Sequence, residues 1–106
     1  MTNNDFYLLF ENMNKQEKEC MLGKGEEYTM SSDDKLKNFK DVGKMLDIEP
    51  LKVAGIYWLK HVFSIINYIK TGKTSSVESI ESRIMDARNY LALIQGLINE
   101  SYFEDK

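Results

Sequence analysis

At 106 residues the chain is sized for one domain covering 1–106, since a single core serves about 100 to 150 residues, and two independent domains are excluded. Fourteen Lys and Arg against seventeen Asp and Glu give a formal charge of −3, so no net positive field gathers nucleic acid or an anionic bilayer. The lone cysteine, Cys20, excludes an intrachain disulfide and a zinc site built on several thiolates, and fits a reducing, cytosolic setting.

The segment Met1 to Asp5 lacks the basic start and cleavage site of a secretory signal, so export is not expected. Phe6, Leu9, Phe10, Met13, Cys20 and Met21 then recur at helical spacing and predict a first helix, which Gly23-Lys24-Gly25 should stop. A loop is expected from Gly23 to Ser32. Ser31, Ser32, Asp33 and Asp34 offer caps to a short second helix whose buried stripe is Leu36, Phe39, Val42 or Gly43, and Leu46. Pro50 suits the first turn of a third helix, about 50–70, so apolar that it must be covered on several sides. Its apolar run, Val53 to Ile69, is interrupted by Lys60, His61 and Asn67 and falls short of a membrane span of about 20 residues.

Gly72 should end that helix, and the capping spacing of Ser75 with Glu78 should start a fourth, about 76–100, antiparallel to the third across a short connection. Val77, Ile80, Ile84, Ala87, Leu91, Ile94 and Ile98 form its apolar seam, and Tyr102 to Lys106 reads as a frayed tail. No stretch reads as a strand. The expected fold is all-α, a compact four-helix domain, and its small size points to a homo-oligomer.

Chemistry concentrates opposite that seam. Glu78, Ser82, Asp86 and Asn89 share one band, with Glu81 at its edge. Carboxylates at this spacing suit Mg²⁺ or Mn²⁺, which prefer several oxygen ligands; a solvated helix face competes with that reading. The helix dipole explains acids in the first turn, but Asp86 and Asn89 lie beyond it. Lys60, Ser64 and Asn67 form a second polar stripe that could face the band and make a composite pocket; alternatively Lys60 snorkels to water or pairs with Asp86 or Glu78. His61 reads as packed or exposed rather than catalytic, and Cys20 as a small core residue. The lysines Lys35, Lys37, Lys40 and Lys44 are interleaved with Asp33, Asp34, Asp41 and Asp47 and read as a solvated face. Lys24 could meet a phosphate and Tyr28 a base, whereas Trp58 and most tyrosines read as core.

Lys24 with Tyr28, the Asn38-Phe39 pair, Lys60, and the run from Glu78 to Tyr90 together resemble a phage family, the nucleotide-modification-associated domain. That family looks like a relative of the all-α MazG-like nucleotide pyrophosphohydrolases, and the resemblance covers Lys24 to Leu97. It implies a homo-oligomeric phage or prophage protein, in the cytoplasm of an infected or lysogenic bacterium. Its pocket would take a nucleotide or nucleotide-derived signal through Lys24, Tyr28, Asn38, Lys60, Ser82 and Asn89. MazG-like enzymes hold Mg²⁺ with two acidic motifs; the resemblance assigns the second to Glu78, Glu81 and Asp86. The first is missing, because no Asp or Glu lies between Leu51 and Lys70.

Two readings of different classes follow. One is a non-catalytic binder without a cofactor that sequesters a host immune signal. The other is an Mg²⁺-dependent nucleoside triphosphate pyrophosphohydrolase in which Glu78, Glu81 and Asp86 are joined by Asp41 or Glu27. A third possibility is a helical module that meets a protein partner through the third helix.

Overall fold

Four helices and no strand make up the described residues: α1 (Asn3–Thr29), α2 (Lys37–Leu46), α3 (Pro50–Thr71) and α4 (Ile80–Glu104). The structure, a computed structural model, describes residues 1–29, 33–74 and 77–104, with side chains described outside 24–29 and 102–104. No helix among these residues is long and apolar enough to cross a membrane.

Three helix starts have a local side-chain oxygen, and the start of α3 has a proline. At α1, Asp5 N donates to Thr2 Oγ1 (3.1 Å) while Thr2 N donates to Asp5 Oδ2 (3.3 Å), a reciprocal cap. Before α2, Leu36 N donates to Asp34 Oδ1 (3.0 Å), so of the four expected caps Asp34 serves; Ser31 and Ser32 lie outside the described residues. Pro50 opens α3, as its sequence position predicts. At α4 the cap is Ser79, whose Oγ accepts from Ser82 N (3.1 Å). The expected cap, Ser75, lies outside the described residues.

The helix ends divide into one expectation met and two corrected. Gly72 closes α3 in the left-handed region (φ 71°), its N–H donating to Tyr68 O. By contrast, α1 passes through Gly23 to Thr29, and no loop occupies 23–29. A glycine costs a helix about 1 kcal/mol, less than the cost of breaking and restarting the hydrogen-bonded ladder. Likewise α4 stays helical to Glu104, so the backbone of Tyr102 to Glu104 is not a frayed tail.

The core is small. Leu36 just before α2, Phe39 of α2, Val53 and Ala54 of α3, and Leu97 of α4 are its buried members, with Tyr57, Tyr90, Leu93 and Ile94 packed against them. Leu46, expected in this core, is exposed because the turn at Asp47 (φ 56°) carries the chain away. Helix α3 is covered on one side only: Ile56, Leu59, Phe63 and Ile66 are open to solvent, against the expectation of cover on several sides.

The α4 seam is also displaced. The side turned to α2 and α3 is Arg83, Ala87, Asn89, Tyr90 and Leu97, about a quarter turn from the predicted seam, while Val77, Leu91 and Ile98 are exposed. The cause is that α4 is flanked twice. On its other flank α1 packs around Arg88, which meets Glu17 (3.0 Å), Asn14 and the Phe10 ring. A seam written as one stripe is thus split between two neighbours.

Candidate functional site

Where α2, α3 and the first half of α4 meet, with Met21 of α1 on the margin, a cleft of about 480 Å³ opens above the core. Pockets of about 300–1,000 Å³ take small ligands. Its floor is aromatic: Phe39, Tyr57 and Tyr90 lie 6.0 to 6.2 Å apart by centroid, and His61 stacks on Tyr90 at 5.2 Å and 23°.

Its wall is charged, and one of the charges is buried. Arg83 is 8% exposed, with Nε 3.3 Å from Glu78 Oε2 and Nη1 3.3 Å from His61 Nδ1. A guanidinium only donates, so Nδ1 of His61 accepts and the ring hydrogen sits on Nε2. Burial is the main cause holding the His61 pKa below its ordinary value; Arg83 and Lys60 add to the effect, and Asp86 and Glu78 oppose it. His61 is therefore neutral at pH 7, and its 3.8 Å approach to Asp86 Oδ2 is not an ion pair between two charges.

Asn89 lies on the same wall at 6% exposure, and its Oδ1 is buried with no hydrogen-bond partner among the described residues. An orphaned buried acceptor costs roughly 1–3 kcal/mol, so a donor that reached this atom would recover part of that cost. Asn38 and Lys35 line the α2 side, Lys35 Nζ donating to the Met21 carbonyl, and Lys60 stands exposed on the α3 side. Three cations, Lys35, Lys60 and Arg83, face two carboxylates, Glu78 and Asp86. The local charge is thus positive on a chain that is acidic overall.

Of the residues expected in a site, Asn38, Lys60, Glu78, Asp86 and Asn89 line this one cleft. Ser82 and Glu81 do not; Ser82 N serves the Ser79 cap, and Glu81 is exposed in the first turn of α4. Glu78, Glu81 and Asp86 are not gathered, and no group of three or more His, Cys, Asp or Glu among the described residues could hold a metal ion. Asp41 pairs with Lys37 on α2. The backbone of Lys24, Glu27 and Tyr28 is helical, and their side chains lie outside those described.

Sequence reasoning missed Arg83, His61, Tyr57 and Tyr90. One signal was present: Arg83 falls three residues after Ile80 and four before Ala87, so a charge interrupts the seam at an inward position. A charge at such a position needs buried partners, and His61 was the polar residue on the apolar helix able to meet it.

No family model, curated protein or solved structure matches the chain.

Proposed function

We propose that this cleft binds a nucleotide-type ligand without turning it over, and that the chain is a phage or prophage protein sequestering a nucleotide-derived signal in its bacterial host's cytoplasm. The observation that carries the reading is the orphaned Asn89 Oδ1 on the wall of a cleft that also offers cations and aromatic rings. Such a site suits a ligand with an N–H donor, a planar ring and an anionic group, the three features a nucleotide combines. Asn38 and Lys60 complete the polar set, and the resemblance adds Lys24, Tyr28 and Ser82. In this reading α3 and α4 run as an antiparallel pair. In support, partners on α4 step back from Tyr90 to Arg83 as α3 advances from Tyr57 to His61. The working form is a homo-oligomer.

A second reading, Mg²⁺-dependent pyrophosphate release, draws on the presence of both Glu78 and Asp86 in the cleft. Glu78 is held by Arg83, which weakens it as a metal ligand. One experiment separates the two. Purified protein is incubated with nucleoside triphosphates and with cyclic or ADP-ribose-derived nucleotides, with and without Mg²⁺, and both free and heat-released ligand are chromatographed. Binding alone returns the ligand intact; Mg²⁺-dependent appearance of a monophosphate establishes the enzyme. If no nucleotide is depleted or altered, both readings fail.

A further inference from the structure

Two apolar stripes lie outside the cleft and belong to helices that do not touch. On α3, Ile56 (57% exposed), Leu59, Phe63 (65%) and Ile66 follow steps of three, four and three, the spacing of a helix-packing seam. On α1, Phe6, Leu9 and Phe10 are exposed, and Phe6 stacks on Phe10 with their centroids 6.4 Å apart. Helix α1 contacts α2 and α4 but makes no contact with α3 among the described residues. The chain is correspondingly drawn out, with a radius of gyration of 15.7 Å against about 13 Å for a typical domain of this length.

We infer that the first half of α1 from a second copy of this chain covers the outer face of α3, reciprocally, in a two-fold dimer. Charge selects this pairing. Helix α3 contains no Asp or Glu and exposes Lys52 and Lys70 at the two ends of its stripe, whereas Asn3 to Asn14 carries Asp5 and Glu11 and no Lys or Arg. Pairing α3 with α3 would set lysines against each other, and α1 with α1 would do the same with carboxylates. Length agrees as well: Ile56 to Ile66 and Asp5 to Asn14 each span about 15 Å at helical rise. The two stripes expose on the order of 700 Å² per chain, so a reciprocal pair could bury up to ~1,400 Å², within the range of a specific interface. This contact supplies an interface for the oligomer proposed above and does not depend on what the cleft holds.

Sedimentation velocity on the full chain at about 10 to 100 µM tests it, at concentrations where an interface of this class is populated. A dimer is expected. Leu9→Lys and Phe63→Glu, both at exposed positions, should each give a monomer whose far-UV circular dichroism matches the parent. Mixing the two variants should restore a dimer, because each heterodimer keeps one native α1–α3 contact and sets the introduced lysine against the introduced glutamate. A native chain that stays monomeric, a dimer that survives Leu9→Lys, or a mixture that stays monomeric each overturns the proposal. If a variant loses helicity, Glu11→Lys and Lys52→Glu, both at exposed positions outside the α1 cap, decide instead: each weakens the dimer roughly fivefold alone and the pair recovers it, or the pairing is wrong. Nucleotide binding measured on the same samples keeps failure of the cleft separate from failure of the interface.

Discussion

Replacing Asn89 by Leu should move stability and ligand binding in opposite directions. Asn89 is buried on the cleft wall with its Oδ1 unsatisfied. In the unliganded protein that atom costs roughly 1–3 kcal/mol. Leucine has as many side-chain heavy atoms but is bulkier, so its overpacking cost, about 1 kcal/mol where the side chain can give toward the cleft, is set against about 2 kcal/mol from removing the orphan, and a net gain of about 1 kcal/mol is expected. For a domain of this size, 1 kcal/mol corresponds to a melting shift of roughly 4–8 °C. A ligand donor that meets Oδ1 loses its partner in the variant, which costs roughly 1–3 kcal/mol, or about 5- to 150-fold in affinity. Thermal unfolding by circular dichroism without ligand, and calorimetric titration with whichever nucleotide the panel retains, read the two quantities independently. The reasoning fails if Asn89→Leu melts several degrees lower and binds as before, because Asn89 would then be a structural residue.

The other predictions concern the cleft and its frame. Lys60→Ala should weaken an anionic ligand by roughly 1.5–3 kcal/mol while leaving the melting temperature nearly unchanged, since the side chain is exposed; equal affinity in a titration removes Lys60 from the site. Because the folded-state pKa of His61 lies below its unfolded value, the unfolded chain binds more protons below about pH 6.5, so stability should decline as pH falls from there toward the folded-state pKa and gain nothing further above it. His61→Asn, which keeps an acceptor for Arg83, should flatten urea midpoints between pH 7 and 5; an unchanged slope would falsify that assignment. Gly43→Ala would ordinarily gain about 1 kcal/mol in a helix, but its Cβ would meet the Ile48 carbonyl at 2.5 Å, so a net loss of roughly 1–3 kcal/mol is expected in denaturant melts. An equally stable variant would mean that the α2–α3 turn yields.

What was legible in the sequence is what depends on neighbours along the chain. Pro50 and Gly72 mark the limits of α3 because proline and glycine act through their own φ angles. Lys60, Glu78, Asp86 and Asn89 could be picked out because polar groups at helical spacing opposite an apolar face have few other uses, whereas Asn38 was marked by the family resemblance alone. What was not legible depends on partners far away in sequence. Gly23 was read as a stop from its propensity, but a penalty of about 1 kcal/mol is smaller than the cost of nucleating a helix afresh, and α1 runs on. The α4 band was read as lying opposite the core. Its inward turn follows from Arg83 reaching His61, twenty-two residues away, and from α1 taking the other flank at Arg88. A one-stripe analysis of periodicity cannot represent a helix with two packed flanks.

The charges in the cleft bear on which chemistry it suits. A metal-dependent hydrolase needs several carboxylates converging on one ion, so that the ion offsets the triphosphate's charge. Here Glu78 is paired with a buried guanidinium, Asp86 faces a neutral imidazole, and Glu81 lies outside the cleft. Loading Mg²⁺ would draw the half-exposed Glu78 away from Arg83 and set a divalent cation beside a buried guanidinium, a like-charge contact that opposes metal binding. Binding an anion asks for much less: Lys60 and Lys35 already tip the cleft positive, and Arg83 keeps its partner. The arrangement therefore favours a site that holds a charged planar ligand over one that cleaves it, and Glu78→Gln separates the two. It should abolish Mg²⁺-dependent turnover if the site is an enzyme; if it is a binder, it should leave an anionic ligand bound at least as tightly, because one opposing charge is gone.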